Sequence, residues 1–226
     1  MNAHSFPAPL DDDVLAQTWQ DAWLAIGTQA PTRLRGELER AWSEPQRHYH
    51  DGRHLRECLA FWWRWHGHCE HSGEVAIALW FHDAVYLPDG ESNEAKSAVW
   101  AVRSLEAEGA ERDVSRRVHH LIMATCHAGP GVDSALADAG ENPDVALLLD
   151  IDLAILGSPP RRFWDYERDV REEYAAVPAS VYRAKRAELL ELFLSRPRLY
   201  KTRPAFELLE AQARVNLREA LLRLRA

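Results

Sequence analysis

"GEVAIALWFHDAVY", residues 73–86, is apolar along nearly its whole length and sets His82 and Asp83 side by side near its end. A helix that is apolar all round has to be enclosed by other elements, so this stretch predicts the central helix of the fold. Its end poses a chemical problem. An ionised carboxylate taken out of water without a partner costs on the order of several kcal/mol even after relaxation. A cation beside His82 and Asp83 resolves it. Imidazole nitrogen plus carboxylate oxygen suits Mn, Fe, Ni, Co or Zn and is poor in oxygen for Ca.

Outward from this core, helical period dominates. "DDVLAQTWQDAWLAIG" (12–27) repeats apolar residues behind an acidic start, and Gly27 is a stop signal. "PTRLRGELERAWSE" (31–44) opens on proline, and "HLRECLAFWWRWHGH" (54–68) reads as a third helix. "SNEAKSAVWAVRSLEAEG" (92–109) offers Ser92 as an N-cap and Glu94 in the first turn, and "ERDVSRRVHHLIMATCH" (111–127) follows. The Gly-, Pro- and Asp-rich segment 128–143 interrupts the rhythm and predicts a mobile cover over a site. "VALLLDIDLAILG" (145–157) predicts a buried helix, and three proline-headed helices occupy 160–177, 178–196 and 204–226. With no strand alternation and no repeat, the expectation is one all-α domain over residues 10–226 behind a flexible tail, 1–9.

Bulk composition agrees with that reading and removes some functions. At 226 residues and 46% apolar content the chain can bury a core without staples. A formal charge of −8 argues against nucleic acid or an anionic membrane as partner. No apolar run approaches the roughly 20 residues that span a bilayer. Cys58, Cys69 and Cys126 form no CxxC motif, which suggests free thiols, and with no signal-peptide pattern at the start the expected location is cytoplasmic.

Four groups of polar residues stand out: His50 with His54 in "YHDGRH" (49–54), His82–Asp83, the set His119, His120 and His127, and Asp150 with Asp152 in "LLLDIDLAIL". Residues two apart on a helix point about 200° apart, so Asp150 and Asp152 cannot both face one partner. If the 49–54 stretch is helical, His50 and His54 lie roughly 5–6 Å apart and supply a third ligand and a neighbouring acid or base.

In order along the chain, these motifs resemble the H…HD…D pattern of the HD-domain superfamily of metal-dependent phosphohydrolases. The likeness extends over "YHDGRHLREC", "FHDAVYLPDGESNEAKSA", "LIMATCH", "LDIDLAILG", "DVREEY" and "FLSRPRLYKTRPAFELLEAQARVNL". Together these resemble a bacterial subgroup of predicted metal-dependent hydrolases. The resemblance implies a single HD-type helical bundle with His54, His82, Asp83 and Asp152 as metal ligands, Asp152 being favoured because "IDLAILG" stands where related proteins have an Asp before a leucine-rich helix. "YHxxxH" also resembles the opening of cyclic-nucleotide phosphodiesterases, which implies His50 as proton donor, although Asp51 stands where those enzymes carry asparagine.

The activity so implied is hydrolysis of a nucleotide or other small phosphoester through a metal-bound hydroxide, since a dication lowers the pKa of water from about 15.7 towards 7. Which divalent ion is left open, with Mn or Mg the first choices. In this reading Asp83 and Glu94 handle the water and its proton, His50 protonates the leaving oxygen, and Arg53, Lys96 and Lys201 contact phosphate. His127 is a further residue near the metal. A metal- and nucleotide-binding regulator without turnover is the alternative, and a homodimer is compatible with either.

Overall fold

The structure is a computed structural model that describes residues 5–88, 92–126 and 139–225. Among these residues there are ten α-helices and no strand: α1 Asp12–Ala25, α2 Thr32–Ala41, α3 Gly52–Trp65, α4 Ser72–Phe81, α5 Asn93–Ala107, α6 Arg112–Ala124, α7 Pro143–Asp152, α8 Pro160–Glu173, α9 Ala179–Ser195 and α10 Arg203–Arg225. Short 3-10 segments follow α3 at His66–His68 and α7 at Leu153–Gly157. None of the helices is long and apolar enough to cross a membrane.

Helix α4 is the axis of the bundle. Every residue from Gly73 to Phe81 is buried, and α1, α3, α5, α6 and α7 all pack on it. The approach of α1 requires Gly73: a Cβ there would stand 2.7 Å from the Ala22 carbonyl oxygen. Local chemistry sets the helix ends. The Asp11 carboxylate accepts the Val14 N–H at 2.9 Å, Asp51 accepts from Arg53 and His54, and Asn142 accepts from Asp144 and Val145. Ser92 occupies the N-cap position of α5, but in the left-handed region (φ 63°) and without a side-chain cap bond, so its expected capping role is not realised.

The C-terminal part repeats the logic of close approach. Gly157 lies against α10, where a Cβ would stand 2.6 Å from the Leu209 Cβ. The Asn216 amide donates to the carbonyls of Leu156 and Ser158 at 2.8 and 2.9 Å, tying α10 to the segment after α7. Helix α9 packs on α10.

Three boundaries differ from the sequence reading. The central helix stops at Phe81 instead of running to Tyr86: the Ala84 N–H closes a tight turn on the Phe81 carbonyl at 2.9 Å, and the Val85 N–H, which a continued helix would give to that carbonyl, goes to the Ser97 hydroxyl at 3.0 Å. Helix α3 starts at Gly52 with Asp51 as its cap, so His50 lies outside the helix that carries His54. The 145–157 helix tightens to 3-10 geometry at Leu153. Residues 5–9, expected in a flexible tail, make contacts: Phe6 meets Phe61 edge-on at 5.0 Å and the Ser5 carbonyl accepts from Arg64. Most of the expected cover, 128–138, and His127 lie outside the described residues.

Candidate metal centre

His54 lies in the first turn of α3, His82 and Asp83 follow the last residue of α4, and Asp152 ends α7. The bundle brings these three elements to one point. The Nε2 atoms of His54 and His82 are 3.2 Å apart. Asp152 Oδ1 lies 3.4 Å from His54 Nε2 and 3.5 Å from His82 Nε2. Asp83 Oδ2 lies 3.3 Å from His82 Nε2 and 4.0 Å from His54 Nε2. Both imidazoles are buried, and Asp83 and Asp152 are nearly so.

This donor set fits a dication. The His82 Nδ1 hydrogen bonds the Leu79 carbonyl at 2.8 Å, which fixes the proton there and leaves the Nε2 lone pair facing the other donors. Donors about 2.1 Å from a common ion stand roughly 3.0–3.4 Å from one another, close to the separations found. Burial by itself would lower the pKa of His82, but Asp83 and Asp152 outweigh it and lift it to about 9. The pocket therefore favours positive charge.

Cys58, one turn after His54, also borders the cluster: His54, Cys58, His82 and Asp152 offer donor atoms that all lie within 4.8 Å of one another. Its sulfur is 3.7 Å from both ring nitrogens of His54, so it lies across the imidazole and along neither lone pair. Burial, with Asp152 and Glu57 adding to it, pushes the thiol pKa well up.

The two aspartates of "LDID" have separate fates. Asp152 joins the cluster, whereas Asp150 accepts the N–H groups of Lys201 and Thr202 at 2.8 and 2.6 Å and the Thr202 hydroxyl at 2.7 Å. Burial pushes Asp150 up to about 6 against the pull of those bonds.

Beside the cluster opens a cavity of about 610 Å³ lined in part by His50, Asp83, Glu94 and Asp152. His50 is held by Glu173, whose Oε2 is 2.7 Å from its Nδ1 and also accepts the Tyr86 hydroxyl at 2.9 Å. Glu173 Oε1 accepts the N–H groups of His48, Tyr49 and His50 at 2.8–2.9 Å. Burial would raise the carboxyl, but the His50 bond and charge together with those N–H groups hold it at about 2. Burial opposes protonation of His50, yet Glu173, Asp83 and Asp152 raise its pKa. With Nδ1 committed, Nε2 is the ring nitrogen left for chemistry. The His50 ring stacks on Tyr86 at 4.2 Å and stands 5.9 Å from the His54 ring.

Arg47 fixes the frame around the site. Its guanidinium, buried between Trp42 and Tyr86, donates to the carbonyls of His50, Asp83 and Ala84. Neither Arg47 nor Glu173 stands out in the string. Glu173 does leave a trace: it continues the buried stripe Phe163, Tyr166, Val170 of α8 at steps of three, four and three.

The structure does not bring the three expected phosphate contacts to this cavity. Arg53 turns to Glu57 at 3.1 Å, within a network where Arg162 grips Glu57 twice at 2.7 Å. Lys96 and Lys201 are exposed and are not among the residues that line it. The cations at the wall are Lys185 and Arg186 of α9. Glu94 is on the wall and also in the first turn of α5, so the site and the helix dipole both account for its position. No protein-family model matches the chain, and no curated protein matches it either.

Proposed function

We propose that this protein is a metal-dependent phosphohydrolase acting on a nucleotide or other small phosphoester in the cytoplasm. One observation supports it most: two imidazole nitrogens and two carboxylates from three elements stand 3.2–4.0 Å apart at the edge of a cavity, with the His50–Glu173 pair on the same wall. The H…HD…D order in the sequence, with its likeness to the HD-domain superfamily, supports the same reading.

His54, His82, Asp83 and Asp152 would hold the ion, with Mn²⁺ or Mg²⁺ our choice for a mixed nitrogen and oxygen set. When bound, the dication supplies Lewis acidity toward phosphoryl oxygen and a lowered pKa for water. The protein residues divide the rest. Glu94 orients the attacking water from the cavity wall and, with Asp83, accepts its proton. His50 keeps its Nδ1 proton on Glu173 and delivers a second proton from Nε2 to the leaving oxygen. The aromatic enclosure from Tyr86 excludes bulk water beside that nitrogen. A regulator that only binds needs the four donors but not this histidine–carboxylate pair, and for that reason the catalytic reading is preferred.

Metal analysis of the purified protein, followed by a phosphoester panel with Mn²⁺, Mg²⁺, Co²⁺ or Ni²⁺, tests the proposal. Release of phosphate is expected, with at least a hundredfold loss in Asp83→Ala at unchanged helicity. Full activity in that variant, or no phosphate release with any ion, overturns it.

A further inference from the structure

The cavity extends from the metal cluster to a wall built of aromatic and aliphatic side chains: Tyr166 and Val170 of α8, Tyr174 and Val177 after it, and Tyr182 and Phe193 of α9. Among the described residues, two Lys or Arg side chains line the cavity there, and both already have carboxylate partners; a third, Arg171, lies over the Tyr182 ring with its guanidinium donating to the Tyr174 and Val177 carbonyls. The Arg186 guanidinium donates to the Tyr166 hydroxyl at 2.6 Å and to Glu167, and it lies over the Tyr166 ring. The Lys185 ammonium pairs with Glu188 at 2.9 Å on the surface, where the two side chains are 74% and 65% exposed. A pair so exposed is worth little and can be exchanged for another anion. Among the described residues, Lys185 is therefore the one Lys or Arg side chain lining the cavity with freedom to greet a ligand, and the other cationic group there, His50, stands at the metal end.

Each added phosphate brings at least one more negative charge, and sites that hold polyphosphate chains supply a cation or a cradle of N–H groups for it. Here the carboxylates Asp83, Glu94 and Asp152 face the same cavity and would repel the charge that a dication leaves unbalanced. The tyrosine rings supply aromatic surface, with one face of Tyr166 and one of Tyr182 covered by an arginine, and the buried Tyr182 hydroxyl has no hydrogen-bond partner among the described residues. We infer that the site selects a phosphoester with one phosphate and a flat aromatic body. The phosphate sits at the metal cluster and the ring lies among the α8 and α9 tyrosines, with the Tyr182 hydroxyl open to a polar atom on its edge. This rests on the hydrolase reading for the phosphate end, while the aromatic wall and the cation count stand apart from turnover.

Two measurements on the Mn²⁺-loaded full chain separate the claims. In the first, calorimetric titration compares naphthylmethylphosphonate with hexylphosphonate and methylphosphonate, none of which can be hydrolysed. The naphthyl compound is expected to bind at least tenfold tighter than either; equal affinity, or a preference for the hexyl chain, overturns the aromatic site. In the second, kcat/KM is measured for the mono-, di- and triphosphate of adenosine and for 1-naphthyl phosphate against glycerol 2-phosphate. At least a tenfold fall from mono- to triphosphate is expected, and at least a tenfold advantage of the naphthyl ester. A triphosphate turned over as well as the monophosphate overturns the single-phosphate claim. Val177→Lys places a cation on the wall from a loop and should narrow the mono- to triphosphate gap severalfold; Leu189→Lys does the same from α9. An unchanged gap in both counts against the charge argument. If no ester is hydrolysed but the naphthyl phosphonate is selected, the hydrolase reading fails and the aromatic site survives.

Discussion

Replacing Glu173 by glutamine removes one charge and changes almost no volume, so its effect can be worked from the structure. In the native protein Oε1 accepts three backbone N–H groups from residues 48–50, and Oε2 accepts from Tyr86 and His50. The amide oxygen of glutamine can keep the three backbone bonds. Its NH₂ group must face His50 Nδ1, which then has to accept, and the His50 proton moves to Nε2. The folded protein holds the Glu173 carboxyl at about 2, where 4.5 is ordinary. At about 1.4 kcal/mol per pH unit that is about 3 kcal/mol of stability. Because the fold favours the carboxylate, this contribution is complete above pH 4.5 and disappears as pH falls towards 2. Loss of one charge-assisted bond gives a similar figure, about 1.5–3 kcal/mol. Urea unfolding followed by circular dichroism should show Glu173→Gln unfolding about 1 M earlier than the native chain at pH 7, and the gap shrinking to about a quarter of that by pH 2.5. A gap of constant size between pH 7 and pH 2.5 would refute the argument, since it would mean the charge of Glu173 does not hold the turn.

Other expected outcomes follow from the same geometry. Asp150→Ala should cost about 2–4 kcal/mol by leaving the Lys201 and Thr202 donors unpaired, yet keep full metal content, whereas Asp152→Ala should lose the metal; elemental analysis beside urea midpoints separates the two. Stripping the ion with a chelator should lower Tm by about 5–10 °C, the effect of ligand present at a hundred times its Kd; identical scans with and without chelator and Mn²⁺ would contradict a site there. Gly157→Ala forces a Cβ within 2.8 Å of the Leu209 carbonyl oxygen, so a loss of about 1–3 kcal/mol is expected in denaturant unfolding.

Much of the centre could be read from the string because its residues violate their surroundings. His82–Asp83 and the "LDID" aspartates interrupt apolar runs, and a buried polar group demands a partner. Helical geometry already required Asp150 and Asp152 to part, although only the packed structure shows that Asp150 ends on the turn before α10. The direction of Arg53, one of the expected phosphate contacts, follows from the same helical geometry. Arg53, next to His54, points about 100° away from it around α3 and meets Glu57. Within a helix, consecutive residues face different ways. Glu173 and Arg47 escaped because many of their partners are distant backbone atoms: Glu173 meets the N–H groups of a turn more than 120 residues away, and Arg47 meets carbonyls 36 and 37 residues ahead. Backbone atoms carry no letter in a sequence, so such contacts cannot be read in advance.

That anchoring has an evolutionary corollary. The turn that presents His50 and the turn that presents Asp83 are pinned through peptide N–H and C=O groups, which every residue except proline possesses. The side chains at 50 and 83 can therefore be exchanged with these backbone bonds kept, although at 50 the side-chain bond to Glu173 is lost. A lineage with this frame is free to trial new donors or new proton carriers one substitution at a time, and a designer can repurpose the pocket in the same way, keeping Arg47 and Glu173 fixed.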